Sequence, residues 1–306
     1  MLELGLDRRL GGFRRYYVRE QGERLLLVPE EVRKCVAFVY CKSATGLHPL
    51  GTAFFLASAI EDTDRAWPVT VTAKHLLRHI GEHSVDQTVH IRLNLKGAGL
   101  VWMQAPLTHW RFHPSDPTAD VAVLPMFPGE ECDFRTFGLE SSATPEVMQA
   151  EGVGVGDEVF IVGLFVNHLG KSKNIPIVRI GNIAAMPDER VATKEFGAMD
   201  AHLIEARSIG GLSGSPVFVH VQAIRVHDES LNITADDTGQ FWLFGLMHGH
   251  FDAKSASATQ LNDERINMGI GIVVPVPKII ETINQQELLD MKNKQRQKIK
   301  EEMPQD

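Results

Sequence analysis

Ser208-Ile209-Gly210-Gly211-Leu212-Ser213-Gly214-Ser215-Pro216-Val217-Phe218 holds one serine, Ser213, between Gly211 and Gly214 and follows it with a proline and an apolar, strand-like run. Glycine lets the backbone take tight-turn conformations that other residues disfavour, so the stretch presents the Ser213 hydroxyl on a turn at the head of a strand. A hydroxyl offered in this way is a candidate nucleophile. It is weak at neutral pH, and it acts only beside a base that a third group holds in place. A histidine and a carboxylate with local signatures of their own are therefore required elsewhere in the chain.

Outward from this turn the chain reads as strands. Cys35 to Tyr40, Gly51 to Ala57, Pro68 to Ala73, Thr88 to Leu95, Leu100 to Gln104 and Asp120 to Met126 are short runs rich in β-branched and aromatic residues, bounded by turn residues. Glu158 to Leu164, Pro176 to Ile180, Ala201 to Ala206, Pro216 to Gln222, Phe241 to Met247 and Ile270 to Val276 form a second set. Between the two sets, residues 128–156 are rich in Glu, Gly, Ser and Thr without a sustained period and suit a connector between subdomains. The loop from His227 to Gln240 is polar. From Pro277 to about Lys300 apolar residues recur at helical spacing, through Ile279, Ile280, Ile283, Leu288 and Leu289, and Lys292 onward is almost wholly charged or amide-bearing. The first half of that helix is expected to pack on the body and the second half to project as a solvated tail.

Composition narrows the function classes. With 31 Lys+Arg against 39 Asp+Glu the formal charge is −8, which gives no general electrostatic attraction to nucleic acid or to an anionic membrane. No stretch reaches the roughly 20 apolar residues of a membrane span, and residues 1–20 lack the uninterrupted apolar core of a signal peptide. The three cysteines, Cys35, Cys41 and Cys132, make neither an even disulfide set nor a CxxC pair. The expected setting is cytoplasmic, with no nucleic acid and no membrane among the partners.

Two partners for Ser213 stand out. His75 sits where the strand Pro68 to Ala73 ends, in Val-Thr-Ala-Lys-His-Leu-Leu, and Asp120 heads the apolar strand Asp-Val-Ala-Val-Leu. In chain order they give His, Asp, Ser. Thr72-Ala73-Lys74-His75, Asp120 to Leu124 and Gly211 to Pro216 resemble the three active-site segments of the trypsin-like, chymotrypsin-fold serine peptidase superfamily, nearest its bacterial, high-temperature-requirement-type branch. Val155 to Val159, Phe160 to Gly163 and Gly269 to Val276 resemble framework stretches of that branch.

The resemblance implies an all-β fold of two six-stranded antiparallel β-barrels with a C-terminal helix. It spans residues 32–285, leaving residues 1–31 as an N-terminal extension, residues 286–306 as a charged helical tail, and no room for a PDZ-type domain. It implies a serine endopeptidase acting on a protein or peptide substrate without metal or organic cofactor. In that scheme Ser213 attacks the scissile carbonyl, His75 moves the proton, and Asp120 orients His75 and steadies its charge. The backbone N–H groups of Gly211 and Ser213 form the oxyanion hole.

Two departures carry information. Leu212 replaces an aspartate that digestive members use after N-terminal cleavage, so no switch of that kind is expected, and Ser215 stands where the family has a glycine. By the same resemblance Arg207, His248 and His250 line the primary substrate pocket and suit an acidic or amide side chain. The N-terminal extension and the tail are candidate contacts for a regulatory protein partner.

Other readings stay open at this level. His248-Gly249-His250-Phe251-Asp252 is a metal constellation by strand alternation, and His109-Trp110-Arg111-Phe112-His113 is either a ligand surface or a half-buried edge. A double-barrel scaffold whose triad is silent or partner-activated remains the main rival to an enzyme. An esterase shares the triad, but its Gly-x-Ser-x-Gly elbow in an α/β sheet does not match this strand-rich chain.

Overall fold

Strands form in both halves of the chain because β-branched and aromatic residues there find two apolar surfaces to cover. The computed structural model describes residues 28–206, 211–222, 224–227, 230–233, 239–254 and 265–302 of the 306-residue chain. The N-terminal half holds α1 (Glu30–Lys34), β1 (Val36–Ser43), β2 (Gly46–Ala59), β3 (Ala66–Thr72), α2 (Lys74–His83), β4 (Thr88–Asn94) and β5 (Leu100–Pro106). It continues with β6 (Arg111–Phe112), β7 (Ala122–Leu124), β8 (Phe137–Gly138) and α3 (Pro145–Ala150). Its strands make an eight-stranded sheet in the order β5-β4-β1-β2-β3-β7-β6, with β8 added in parallel to β2.

The C-terminal half holds β9 (Glu158–Gly163), β10 (Ile177–Ala185), β11 (Val191–Thr193), β12 (Gly197–Met199), β13 (His202–Glu205), β14 (Pro216–Val221), β15 (Ile224–His227) and β16 (Ser230–Ile233). It is completed by β17 (Gln240–Lys254), β18 (Arg265–Pro275), α4 (Val276–Ile283) and α5 (Gln286–Glu302). Six of these strands close an antiparallel barrel in the order β10-β13-β18-β17-β14-β9. The all-β expectation holds, and the six-stranded barrel expected of this half is met strand for strand, whereas the N-terminal half is an eight-stranded half-barrel sheet in place of a closed six-stranded barrel. In the N-terminal half the sheet curls with β5 and β6 at its edges, and β6 and β7 are cut short between Pro114, Pro117 and Pro125, whose rings remove ladder donors.

The continuous apolar runs have a simple cause. Along β9, Val159 and Ile161 point into the barrel while Phe160 and Val162 pack in the core shared with the N-terminal half, so both faces are dry. β14 divides in the same way, with Val217 and Val219 inside the barrel and Phe218 in the shared core. In β3 the alternation is between valine and threonine. Val69 and Val71 enter the core, and the hydroxyls of Thr70 and Thr72, equally buried, donate to the carbonyls of Met126 and Thr52. Each hydroxyl thereby avoids the cost of an unsatisfied buried polar group.

Two stretches differ from their sequence reading. β11 and β12 form a short hairpin between β10 and β13, and β16, inside what reads as the polar loop, pairs with β15 just before it. The charged half of the C-terminal helix also does not project. α5 runs unbroken to Glu302, buries Leu288 and Ile299 in the N-terminal core, and ties Arg296 and Lys300 to Asp62 and Lys292 to Ser58 at the β2–β3 turn. Residues 1–27, and with them most of the N-terminal extension, lie outside the described residues.

Candidate active site

Asp120 is the fixed point of the site. It lies just before β7, fully buried, and its Oδ1 accepts the backbone N–H of His75 at 2.8 Å. His75 stands in the first turn of α2, whose N-cap, Ala73, offers no side-chain cap. The carboxylate therefore serves as a cap delivered from another segment, where an anion also meets the positive end of the helix. Its Oδ2 lies 2.7 Å from His75 Nδ1 and 2.6 Å from His248 Nδ1. An ionised carboxylate only accepts, so both rings carry their proton on Nδ1.

Charge follows from this packing. Burial pushes the Asp120 carboxyl up, but the two imidazoles outweigh it and hold the group well below the ordinary carboxylate range. Burial pushes His75 down, and the Asp120 carboxylate, joined by Glu195, reverses that, leaving His75 above its usual value. Glu195 approaches from the turn of the β11–β12 hairpin, its Oε2 4.0 Å from His75 Nδ1. The next residue, Phe196, lays its ring edge-on to His248 and is flanked by the cationic ends of Lys74 and Arg78. Arg190 and Lys278, bonded to Asp116 and Asp200, clamp the base of the hairpin.

The Ser213 loop is seated on β2. Gly214 has φ +80°, and a Cβ placed on it would lie 2.2 Å from the Thr52 carbonyl oxygen, so glycine is required twice over. Gly211 also has a left-handed φ, +100°. Thr52, fully buried, fixes this loop with two bonds and ties it to the end of β9 with a third. Its N–H donates to the Ser213 carbonyl at 2.9 Å, its Oγ1 donates to the Gly211 carbonyl at 3.0 Å, and the same Oγ1 accepts the Leu164 N–H at 2.9 Å. Among the described residues the N–H groups of Gly211 and Ser213 have no hydrogen-bond partner. The Ser213 Oγ donates to the His248 carbonyl at 3.1 Å and makes no hydrogen bond to His75.

His75 and Asp120 are thus in direct contact, and Ser213 is joined to them through His248. His248 differs from its expected place on a pocket wall: it is buried, and its Nδ1 is engaged by Asp120. His250 lies half-buried two residues further along β17, and Arg207 lies outside the described residues. His113 is bonded to Glu281 and Trp110 is buried, as a packed edge requires. Sequence reasoning missed Thr52, Glu195 and Phe196. For Thr52 the signal was present, a lone hydroxyl inside the apolar run Gly51 to Ala57. Among the described residues His75, Asp120 and His248 are the group whose ligand atoms, all within 4.8 Å of one another, could hold a metal ion.

The fold joins an eight-stranded sheet, antiparallel but for β8, to a closed six-stranded antiparallel barrel. No family model matches the chain, and no curated protein matches it. Solved structures do. The MamO protease domain from Magnetospirillum magneticum, in its apo form, is 15% identical over 82% of this chain and 96% of that one, with a TM-score of 0.47. The HtrA-type protease AlgW with a tripeptide is 16% identical over 84% of this chain, which spans 62% of the AlgW chain, at a TM-score of 0.47. The active form of the Rv3671c protease from M. tuberculosis is 14% identical over 87% of this chain and 93% of that one, at 0.45.

Proposed function

We propose that this chain is a serine endopeptidase in which His75, Asp120 and Ser213 hydrolyse a peptide bond through an acyl-enzyme. The observation that carries the reading is the Asp120–His75 pair, held at 2.7 Å with the Nδ1 proton facing the carboxylate. That tautomer leaves Nε2 with a free lone pair, the state a general base needs. Rotation of the Ser213 side chain from the His248 carbonyl toward His75 Nε2 readies the nucleophile. The proton then passes to His75 as Oγ bonds to the carbonyl carbon, and later from His75 to the leaving amine. The N–H groups of Gly211 and Ser213 receive the oxyanion, each such donor being worth on the order of 10² to 10³ in rate.

The substrate is a protein or peptide, and a reducing, cytoplasmic setting suits the three buried cysteines, each a free thiol. Regulation by a partner bound through residues 1–31 belongs to the same reading. A fluorophosphonate probe tests the function directly. The expected result is covalent labelling that disappears in Ser213→Ala, together with a loss of peptide hydrolysis by several orders of magnitude. The scaffold reading draws on the resting Ser213 Oγ, turned to the His248 carbonyl. It would gain if wild type took up no label in any condition.

A further inference from the structure

We infer that His75, His248, Asp120 and Glu195 form a binding site for one divalent transition-metal ion, zinc by the chemistry of its ligands, and that filling it silences Ser213. The ion-binding half stands on the geometry of His75, Asp120 and His248, with Glu195 within reach as a fourth ligand, and the silencing half rests on the peptidase reading.

Four ligand groups come from four separate segments: the start of α2, the turn before β7, the middle of β17 and the tip of the β11–β12 hairpin. Asp120 Oδ2 lies 2.7 and 2.6 Å from the two Nδ1 atoms, and Glu195 Oε2 lies 4.0 Å from His75 Nδ1. Zinc bonds of about 2.0 Å in a tetrahedron put ligand atoms roughly 3.3 Å apart. The Asp120 contacts must therefore widen by roughly half an ångström, the His75 and His248 nitrogens, within 4.8 Å of each other, must draw toward the same spacing, and Glu195, outside that three-residue group, must swing in as the fourth ligand. Glu195 can make that move, since its side chain is 55% exposed. The surroundings are those of a metal site: the second oxygen of Asp120 is held by the His75 N–H, and Phe196 shields the His248 ring. Charge also balances, because two carboxylates neutralise a dication between two neutral imidazoles.

The protons account for the inhibition. Each ring must give up its Nδ1 proton to bind metal there, and a neutral imidazole does so by carrying it on Nε2, with no net release. His75 then holds a proton on the atom that must accept one from Ser213, and the base is lost.

Titrating chelator-treated full-length protein with Co²⁺ while reading its visible absorption tests the site. One equivalent is expected to give the intense bands of a tetrahedral ion, with Glu195→Gln and His248→Gln each weakening binding at least ~10-fold through the lost ligand. Zn²⁺ is expected to abolish fluorophosphonate labelling of wild type, reversibly with chelator, and the zinc that halves labelling, each protein being compared with its own metal-free rate, to be about ten times higher in Glu195→Gln. The absence of a one-to-one complex, or equal affinity in Glu195→Gln, would overturn the site. Should the metal-free protein take up no label, the peptidase reading fails while the cobalt titration still decides the metal.

Discussion

Asp120 accepts from three donors with two oxygens, the His75 N–H on one and the rings of His75 and His248 on the other. Its charge is what raises His75, and that has a measurable sign. A base whose pKa is raised becomes neutral, and so active, only at higher pH. In chelator-treated protein the rate of Ser213 labelling is therefore expected to climb with pH through a midpoint above the ordinary histidine value of 6.5. Glu195 adds to the same effect, so Glu195→Gln should move that midpoint toward acid while the plateau stands. A midpoint that does not move would remove Glu195 from the electrostatics of His75. Thr52 makes a second prediction at this scale. Thr52→Val keeps the shape, deletes the bond to the Gly211 carbonyl and strands the buried Leu164 N–H, at a cost of about 1–3 kcal/mol. Labelling should slow by roughly ten- to a hundredfold, short of the full loss of an oxyanion donor. The sequence made His75, Asp120 and Ser213 legible because each stands at the end or head of an apolar run. Thr52 and His248 act through contacts with residues 159 and 128 positions away, and no local pattern records such distances.

Among the elements, the strands were readable wherever both faces are buried, since unbroken apolar runs announce themselves. β11 and β12 were not, because Val-Ala-Thr and Gly-Ala-Met carry too little apolar signal in three residues each. What makes that hairpin is the clamp of Arg190 and Lys278 on Asp116 and Asp200, drawn from three parts of the chain. α5 misled for the opposite reason. Its polar composition reads as a solvated tail, yet two apolar residues and three cations placed on one side are enough to seat it along the β2–β3 turn. Ile299 is 5% exposed, and Ile299→Ala is expected to cost about 2–3 kcal/mol and lower the melting temperature. An unchanged melting curve would mean that the end of α5 contributes nothing to the fold in solution.

At the scale of the molecule, acid should unfold the protein through the barrel of the C-terminal half. His202 stacks on Phe244, its Nδ1 is buried without a partner among the described residues, and burial lowers it to about 4. Above pH 6.5 the ring is neutral folded or unfolded. Between that pH and about 4 only the unfolded chain takes up the proton, so stability falls as pH falls, by roughly 3 kcal/mol at the limit. Asp120 adds to the loss at lower pH, where its carboxylate begins to take up a proton in the unfolded chain. His75, raised when folded, works the other way and gives up its contribution as pH rises. His202→Phe is expected to shift acid unfolding to lower pH, and an acid limb that coincides with wild type would sink this account.

The seating of the Ser213 loop on Thr52 has a consequence in time. A chain emerging from the ribosome has made His75 and Asp120 long before it makes Ser213, and β2 long before the loop that rests on it. Neither half can set the hydroxyl and the oxyanion donors in place by itself, because the carbonyls of Gly211 and Ser213 find their donors only across the seam. In the proposed peptidase, the nucleophile is therefore expected to be set in place only once the two halves have met.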